Sequence, residues 1–561
     1  MHRSRKPLTV LALLLGLLLP GAALASGTQV SLMQDDTRLY ANPAGTLQTM
    51  RELGATVVRV TVPWAQFAPA PNSFRAPRFA AANPAAYPAA PWGPLDAIVR
   101  IAARDGITVD LDPAAPVPLW ATGPGMPHAS RKAGYPFHNW RPNAAEFGQF
   151  MRALGTRYGG SYDPALRRLA PGNPGDLPRV HFWSIWNEPD YGPHLAPQGV
   201  PGHRGVEASP PMYRALVDQA WSALAATGHT TRTDTILIGE LAPRSEDTAP
   251  TAFGNFNGMT PLRFLDALYC VDARYRPLRG EAAAIRDCPT TAAASAHFVA
   301  ANPGLFRASA YSDHPYMYGF PPDRELNSPR TSWFGAEIGQ YATLATIGNL
   351  EHALDRLVAV YHQRTRFPIW NTEYGIITNP PHRAFTNGAP GLSWAMAAEY
   401  DNWAEYLSWK DPRLASFAQY LVQDPLPPGV QDGGFASGLI TWGGVHKDTF
   451  DAFRLPLYLP RTVAPSASRP LEVWGEVRPL HFAQLDAPHV PERVTVMFRP
   501  RGQGGWQPLS TVTPGAAGYF DTHIAFPVSG AVRLQWTYPA GTLDGLAGVT
   551  IDSRTVSVAV K

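Results

Sequence analysis

Cysteine is nearly missing from this sequence, with Cys270 and Cys288 the only two. That scarcity excludes a small scaffold held by a disulfide framework. It also leaves no structural zinc site, because two thiolates make half of one and no histidine lies near them at ligand spacing. Charge is sparse as well. Charged side chains make up 16% of the chain and the formal net charge is +3, so no global field draws it to nucleic acid or to an anionic membrane. Beyond the first 25 residues no run is long and apolar enough to cross a bilayer, so no membrane insertion of the mature chain is expected. No phosphate-cradling glycine loop follows the first strand-like run, no serine nucleophile elbow is present and no internal repeat recurs. Nothing calls for a metal or an organic cofactor.

What is present describes a folded protein of more than one unit. Apolar residues make up 45% of 561 positions, enough for a large domain and a smaller one. The N-terminus carries Arg3, Arg5 and Lys6, then the mostly apolar Leu8 to Leu19, then the small-x-small run Ala23-Leu24-Ala25. This is the pattern of an export signal cut before Ser26, which places the mature chain outside the cytoplasm. In an oxidising compartment Cys270 and Cys288, close in sequence, are expected to pair.

Between Ser26 and about Pro460, short apolar runs alternate with longer amphipathic stretches. Eight runs read as strands buried on both faces: Val30–Leu32, Val57–Val62, Ile107–Leu111, Val180–Ile185, Ile236–Gly239, Ala308–Ser312, Pro368–Asn371 and Gly438–Trp442. Helices are expected over Gly45–Leu53, Pro94–Ala103, Ala144–Tyr158, Pro211–Ala226, Glu337–Gln363 and Trp394–Leu421. The pattern suits an α/β fold, a (β/α)8 TIM barrel with enlarged loops, although periodicity alone fits a doubly wound sheet nearly as well. Residues 460–470 have linker composition, and 471–561 alternate in short runs with no helical stretch, as in a small all-β sandwich. The expected division is therefore 1–25 signal, 26–459 barrel, 460–470 linker and 471–561 sandwich.

Two segments carry chemistry. In Phe182-Trp-Ser-Ile-Trp-Asn-Glu-Pro-Asp-Tyr191 a strand runs into Glu188, and Pro189 stops it there. Trp183, Trp186 and Tyr191 give that carboxyl an apolar setting, which is expected to raise its pKa and suit it to general-acid work. In Phe367-Pro-Ile-Trp-Asn-Thr-Glu-Tyr-Gly375 a second strand delivers Glu373 in the same way. Two carboxyls on one barrel rim are what hydrolysis of a glycosidic bond requires.

Trp186-Asn-Glu-Pro189 and Asn371-Thr-Glu-Tyr374 resemble the acid/base and nucleophile motifs of the clan A glycoside hydrolases, on their fourth and seventh strands. Within the clan the feel is closest to families 39 and 5. The resemblance implies a retaining glycosidase acting on a β-linked oligo- or polysaccharide, with Glu188 as general acid/base and Glu373 as nucleophile. It implies that Asn187 binds the 2-hydroxyl and that Arg59 and Tyr316 support Glu373. His314 either positions substrate or braces Tyr316. Trp442, closing the eighth run, resembles the tryptophan that floors the subsite before the cleaved bond.

Other candidates come from the residues themselves. Trp120 is a sugar platform or a core residue, and His128, His138 and Trp140 lie on one long loop that would line a cleft or face solvent. By the resemblance, Asp112 is only a candidate for the third-strand polar residue that some families of the clan use; Glu240, ending the fifth run without the aromatic neighbours of Glu188 and Glu373, is a lesser candidate for a third rim carboxylate that touches substrate. Trp474, Trp506 and Trp536 would bind sugar only if they share an exposed face. The mature protein is expected to be a monomer. The competing readings are a barrel that binds carbohydrate without cleaving it and a transglycosylase with the same carboxylates.

Overall fold

The computed structural model describes residues 26–127, 137–243, 258–325, 338–382, 391–539 and 546–561. The export signal expected over 1–25 and the candidate His128 lie outside them. Eight parallel strands form one sheet: β1 (Val30–Gln34), β2 (Val57–Pro63), β3 (Thr108–Ala114), β4 (Phe182–Ser184), β5 (Thr235–Leu241), β6 (Ala310–Asp313), β7 (Ile369–Asn371) and β8 (Ser416–Tyr420). Their spatial order is β8-β1-β2-β3-β4-β5-β6-β7. The sheet closes where Ile369 on β7 exchanges backbone hydrogen bonds with Arg413 and Ala415, just before β8. This is the (β/α)8 barrel.

Helices pack outside. The expected helices form over Pro43–Glu52, Trp92–Arg104, Ala144–Arg157, Ser209–Ala226, Ile347–Val360 and Trp394–Lys410. The Asn143 side chain accepts from the backbone N–H groups of Ala145 and Glu146, satisfying two of the free donors at the start of its helix. Gly54 and Gly106 end the helices before β2 and β3 at φ +86° and +74°, values that favour glycine.

The eighth strand is not the one expected. β8 lies inside the stretch read as the end of a helix over Trp394–Leu421; the helix stops at Lys410, and Ser416–Tyr420 turns into the barrel beside β1. Its short run of Phe and Ala fits a helical face and a buried strand equally well, so periodicity could not separate them. Gly438–Trp442 is instead a loop, touching Gln423 through a single bridge at Ile440.

After the barrel come two packed sheets. One joins Leu457–Tyr458, Leu471–Glu476 and Tyr519–Ile524; the other joins Val463–Ala464, Val556–Val560, Gly530–Thr537, Val494–Pro500 and Gln507–Val512, with Thr550–Asp552 beside Gly530–Thr537. Both contribute to one core, in which Leu457, Val473, Val496, Leu534 and Val558 are buried. Against expectation a helix, Leu480–Asp486, interrupts the strands. Leu480, Phe482 and Ala483 are buried by it, and Asp486 pairs with Arg51 of the barrel at 2.8 Å.

The sandwich docks on the end of the barrel where the strands begin. The Tyr519 hydroxyl reaches Gln29, just before β1, at 3.4 Å. At this seam Arg478 pairs with Glu405 at 2.6 Å and Glu476 at 3.1 Å, and donates to the Phe453 carbonyl at 2.6 Å, all without solvent contact to speak of. Trp474 and Trp536 are buried, Trp474 against Tyr406 and Tyr519, and Trp536 with its indole N–H on Glu492 at 2.7 Å. Arg499 and Arg533 lie over the Trp506 ring at 4.8 and 4.5 Å. The three do not form one exposed aromatic face. Cys270 and Cys288 are joined as a disulfide.

Candidate functional site

The open end of the barrel, where the strands finish, gathers the polar residues. Glu188 follows β4 on a backbone with Trp186 at φ +70° and Glu188 itself at φ +39°. Such left-handed conformations in large residues cost about 1–3 kcal/mol each and persist only where surrounding packing enforces them. Here Trp186 is fully buried with Phe147 edge-on at 5.3 Å, and the Glu188 N–H donates to the Glu240 carbonyl at 2.9 Å. Glu373 stands two residues beyond β7. One of its oxygens accepts from Arg59 Nη1 at 2.7 Å and the other from the Tyr316 hydroxyl at 3.0 Å.

The nearest atoms of Glu188, His314 and Glu373 all lie within 4.8 Å of one another. That spacing would suit a cation, but the positive charge is already supplied by side chains. Arg59, fully buried on β2, pairs with Glu373, with Asp112 at 2.9 Å and with Glu240 at 3.0 Å, and donates to Asn187 Oδ1 at 2.8 Å. Burial alone would lower its pKa; Glu240, Asp112 and Glu373 outweigh that and raise it. His314, also fully buried, places Nδ1 3.0 Å from Glu188 Oε1 and 3.7 Å from Glu373, and Nε2 3.0 Å from Glu240 Oε2. Burial lowers the imidazole as well, yet the carboxylates of Glu373, Glu188 and Glu240 hold it well above its ordinary value.

Glu188 departs from the sequence expectation of a raised carboxyl. Burial does push it up, but hydrogen bonds from His194 and His314 outweigh burial and hold it well below the usual range. The apolar wall of tryptophans exists. What sequence reasoning lacked was the pair of imidazoles, one on each oxygen, with His194 Nδ1 3.2 Å from Oε2. His194 sits in the turn after Pro189, half exposed, with Tyr191 edge-on at 5.5 Å; no spacing rule marks it out.

Glu240 is a second correction. A lesser candidate for a third rim carboxylate in contact with substrate, it is fully buried, paired with Arg59 and His314 and bonded to Thr372 Oγ1 at 2.8 Å. Burial raises its carboxyl, and Arg59 and His314 bring it down to about 2. Gly239, at φ +109°, makes the turn that aims it: a Cβ there would stand 2.6 Å from the Ser312 carbonyl. Around this group lie four more buried acids. Burial raises Asp112 to about 7 against the pull of Arg59, and Asp110, Asp190 and Asp313 well above the usual range, so the last three are proton-bearing groups beside the charged glutamates.

Of the remaining candidates, Asn187 lies beside Glu188, between Arg59 and His194. Trp442 does not close a barrel strand. It lies on the loop after β8, 44% exposed, with Arg38 over its ring at 5.3 Å. The aromatic that ends β8 is Tyr420, whose hydroxyl is raised by burial first and then by Glu373. Trp120 is a packing residue: its indole N–H donates to the Pro69 carbonyl at 2.9 Å and Trp64 meets it edge-on. Trp140 is buried against Phe137, and His138 bonds the Val117 carbonyl at 2.8 Å.

No known protein family and no curated protein matches the chain by sequence. Among solved structures it is similar to an endo-β-1,4-mannanase from Thermotoga petrophila, at 10% identity and a TM-score of 0.35 over 96% of this chain and 99% of that one. It is also similar to a family 1 β-glucosidase from Thermotoga maritima, at 14% identity and a TM-score of 0.39 over 73% and 84%. A calcium-binding mutant of β-glucuronidase 2 from Bacteroides uniformis aligns at 10% identity and a TM-score of 0.37, over 96% of this chain. This chain spans about half the length of that enzyme, 46%. Identities and scores this low leave function to be argued from the site.

Proposed function

We propose that this protein is a retaining glycoside hydrolase that cleaves a β-linked oligo- or polysaccharide, with Glu373 as nucleophile and Glu188 as general acid/base. The observation that carries the reading is the facing pair: two carboxylates from β4 and β7 whose nearest oxygens lie within 4.8 Å, one of them held by a guanidinium and a phenol. A retaining mechanism needs carboxyls about 5–5.5 Å apart, whereas an inverting one needs roughly 6.5–9.5 Å to seat a water.

Glu373 would attack the anomeric carbon as the bond to the leaving oxygen breaks, and Glu188 would give that oxygen its proton. A covalent glycosyl-enzyme results. Glu188, now a carboxylate, would take a proton from water, and the water oxygen would displace Glu373 with net retention. Arg59 and Tyr316 hold Glu373 in line and disperse its charge as it leaves in the second step. Asn187 stands beside Glu188 to meet the 2-hydroxyl, where a hydrogen bond that strengthens in the transition state lowers the barrier. The leader-like composition of residues 1–25 and the Cys270–Cys288 disulfide support a substrate met outside the cytoplasm.

The test is a screen of the purified protein on aryl β-glycosides and β-linked polysaccharides, with product configuration read by NMR. Turnover with retention, lost in both Glu373→Ala and Glu188→Ala, supports the reading. Inversion, or activity that survives Glu373→Ala, overturns it. Retained binding with no turnover points to a carbohydrate-binding barrel instead, and sugar-to-sugar transfer in the product mixture to a transglycosylase.

A further inference from the structure

We infer that Glu240 is a positioning residue that keeps His314 an imidazolium, and through it fixes which oxygen of Glu188 serves the reaction. The inference rests on the glycosidase reading above. Its starting point is that the imidazole has a carboxylate on each nitrogen, Glu188 Oε1 on Nδ1 and Glu240 Oε2 on Nε2, both at 3.0 Å. A neutral imidazole carries one N–H and one lone pair, so it would set a lone pair against a carboxylate on one side. With both carboxylates ionised, the ring satisfies both contacts only as a double donor.

The groups facing His314 decide which carboxylates are ionised. Glu188 comes from the β4 loop, Glu240 from β5, Asp313 from β6 itself, Glu373 from β7, and Asp190 from the turn beyond Glu188. Asp190 and Asp313 are fully buried and both oxygens of Asp313 have no hydrogen-bond partner among the described residues, so they stay protonated. Glu240 is different: Thr372 donates to its Oε2, His314 Nε2 lies 3.0 Å from the same oxygen, and the Arg59 guanidinium forms an ion pair with it at 3.0 Å. Among the described residues it is the one fully buried carboxylate paired with both cations of the site, and it contributes no surface to the cleft.

The consequence falls on Glu188. An imidazolium donating to Oε1 occupies the inner oxygen and leaves Oε2, on the side of the half-exposed His194, to carry the proton to the leaving oxygen. Without the negative charge of Glu240, His314 becomes neutral and its Nδ1 an acceptor. The Glu188 proton then sits on Oε1, in the bond to His314 and away from the leaving group. The ring gives up one proton to solvent, matching the negative charge lost with Glu240, and the proton that stays on Glu188 changes place.

The experiment has two arms. Histidine-selective 15N labelling of the intact protein, with His314→Gln for assignment, reads the ring directly. Wild type is expected to show both nitrogens protonated from pH 5 to 8, and Glu240→Gln a ring that loses one proton within that range. A singly protonated ring in wild type overturns the inference whether or not the variant folds. The second arm compares kcat/KM on alkyl and dinitrophenyl β-glycosides. Only the alkyl leaving group needs the proton, so Glu240→Gln is expected to lose at least about tenfold more on the alkyl substrate, against the 10²–10⁴ that general-acid catalysis supplies. Equal losses on both would mean a purely structural role and overturn it. If wild type turns over no glycoside, the glycosidase reading fails, while the labelling arm still decides the charge on His314.

Discussion

Replacing Arg478 by methionine tests whether the sandwich and the barrel are held by one buried charge. The guanidinium has no exposed surface and meets Glu405 at 2.6 Å, Glu476 at 3.1 Å and the Phe453 carbonyl at 2.6 Å, with the Phe453 ring 3.9 Å beneath it. Methionine keeps much of the volume and none of the charge. Removing one partner of a buried pair costs about 3–5 kcal/mol, because the other is left unpaired. Here Glu405 loses its counter-ion and Glu476, already raised by burial, loses the cation that held it down, so the variant folds only by holding protons that the unfolded chain does not bind. By linkage its deficit is smaller at pH 5 and grows toward pH 8. Urea unfolding followed by tryptophan fluorescence suits the seam, where Trp409 and Trp474 lie 6.0 Å apart. A loss of that size corresponds to a midpoint lower by about 1 M or more. Adding Glu405→Gln removes one of the unpaired charges and should restore part of the loss. Turnover under native conditions should change little, since the seam is at the opposite end of the barrel from the carboxylates. A deficit below about 1 kcal/mol, or one equal at pH 5 and pH 8, would refute the argument.

Three further outcomes are expected. Tyr316→Phe deletes one of the two donors on Glu373 and should lower kcat/KM by about 10- to 100-fold in steady-state assays, the equivalent of a charge-assisted hydrogen bond, with the circular dichroism spectrum unchanged. His194→Ala removes a group that lowers the Glu188 carboxyl; the carboxyl then rises, and the basic limb of the kcat/KM profile moves to higher pH. A limb that stays put would mean that His194 does not reach the acid/base. Replacing Cys270 and Cys288 by serine should cost about 3 kcal/mol of unfolding free energy, from the freedom returned to the unfolded loop, with kcat unaltered.

The parts of the fold that were legible were those in which local signals agree. The first seven strands end in Gly, Pro or a polar cluster and are too short to be mistaken for helices. β8 was missed because Ser416–Tyr420 follows a helix with hardly a break and shares its composition, so only pairing with β1 identifies it as a strand. Trp442 was placed at a strand end by that error, whereas it lies on the loop after β8. At the site, Glu188 and Glu373 were readable because each stands just beyond a strand with a distinctive neighbour, and Arg59 and Tyr316 were named from the resemblance. His194 and the burial of Glu240 were not. Both depend on where a loop folds back and on how Gly239 turns β5, and neither leaves a periodic trace.

The site also has an electrostatic character that follows from its inventory. Of the four aspartic acids around it, Asp110, Asp190 and Asp313 hold their protons and contribute no net charge, while Asp112, raised by burial to about 7, shares its site with Arg59. When Glu188 is ionised, as it is once it has given its proton to the leaving oxygen, three glutamates face one guanidinium and one imidazolium, which leaves a surplus of negative charge between β4 and β7. That surplus acts as a fixed potential on a ring seated between the two carboxyls and needs no rearrangement to act. A sugar ring that becomes positive at its anomeric carbon is stabilised there relative to the neutral ring it came from. A ring that carries a permanent positive charge should accordingly be retained more tightly than its neutral counterpart of the same shape.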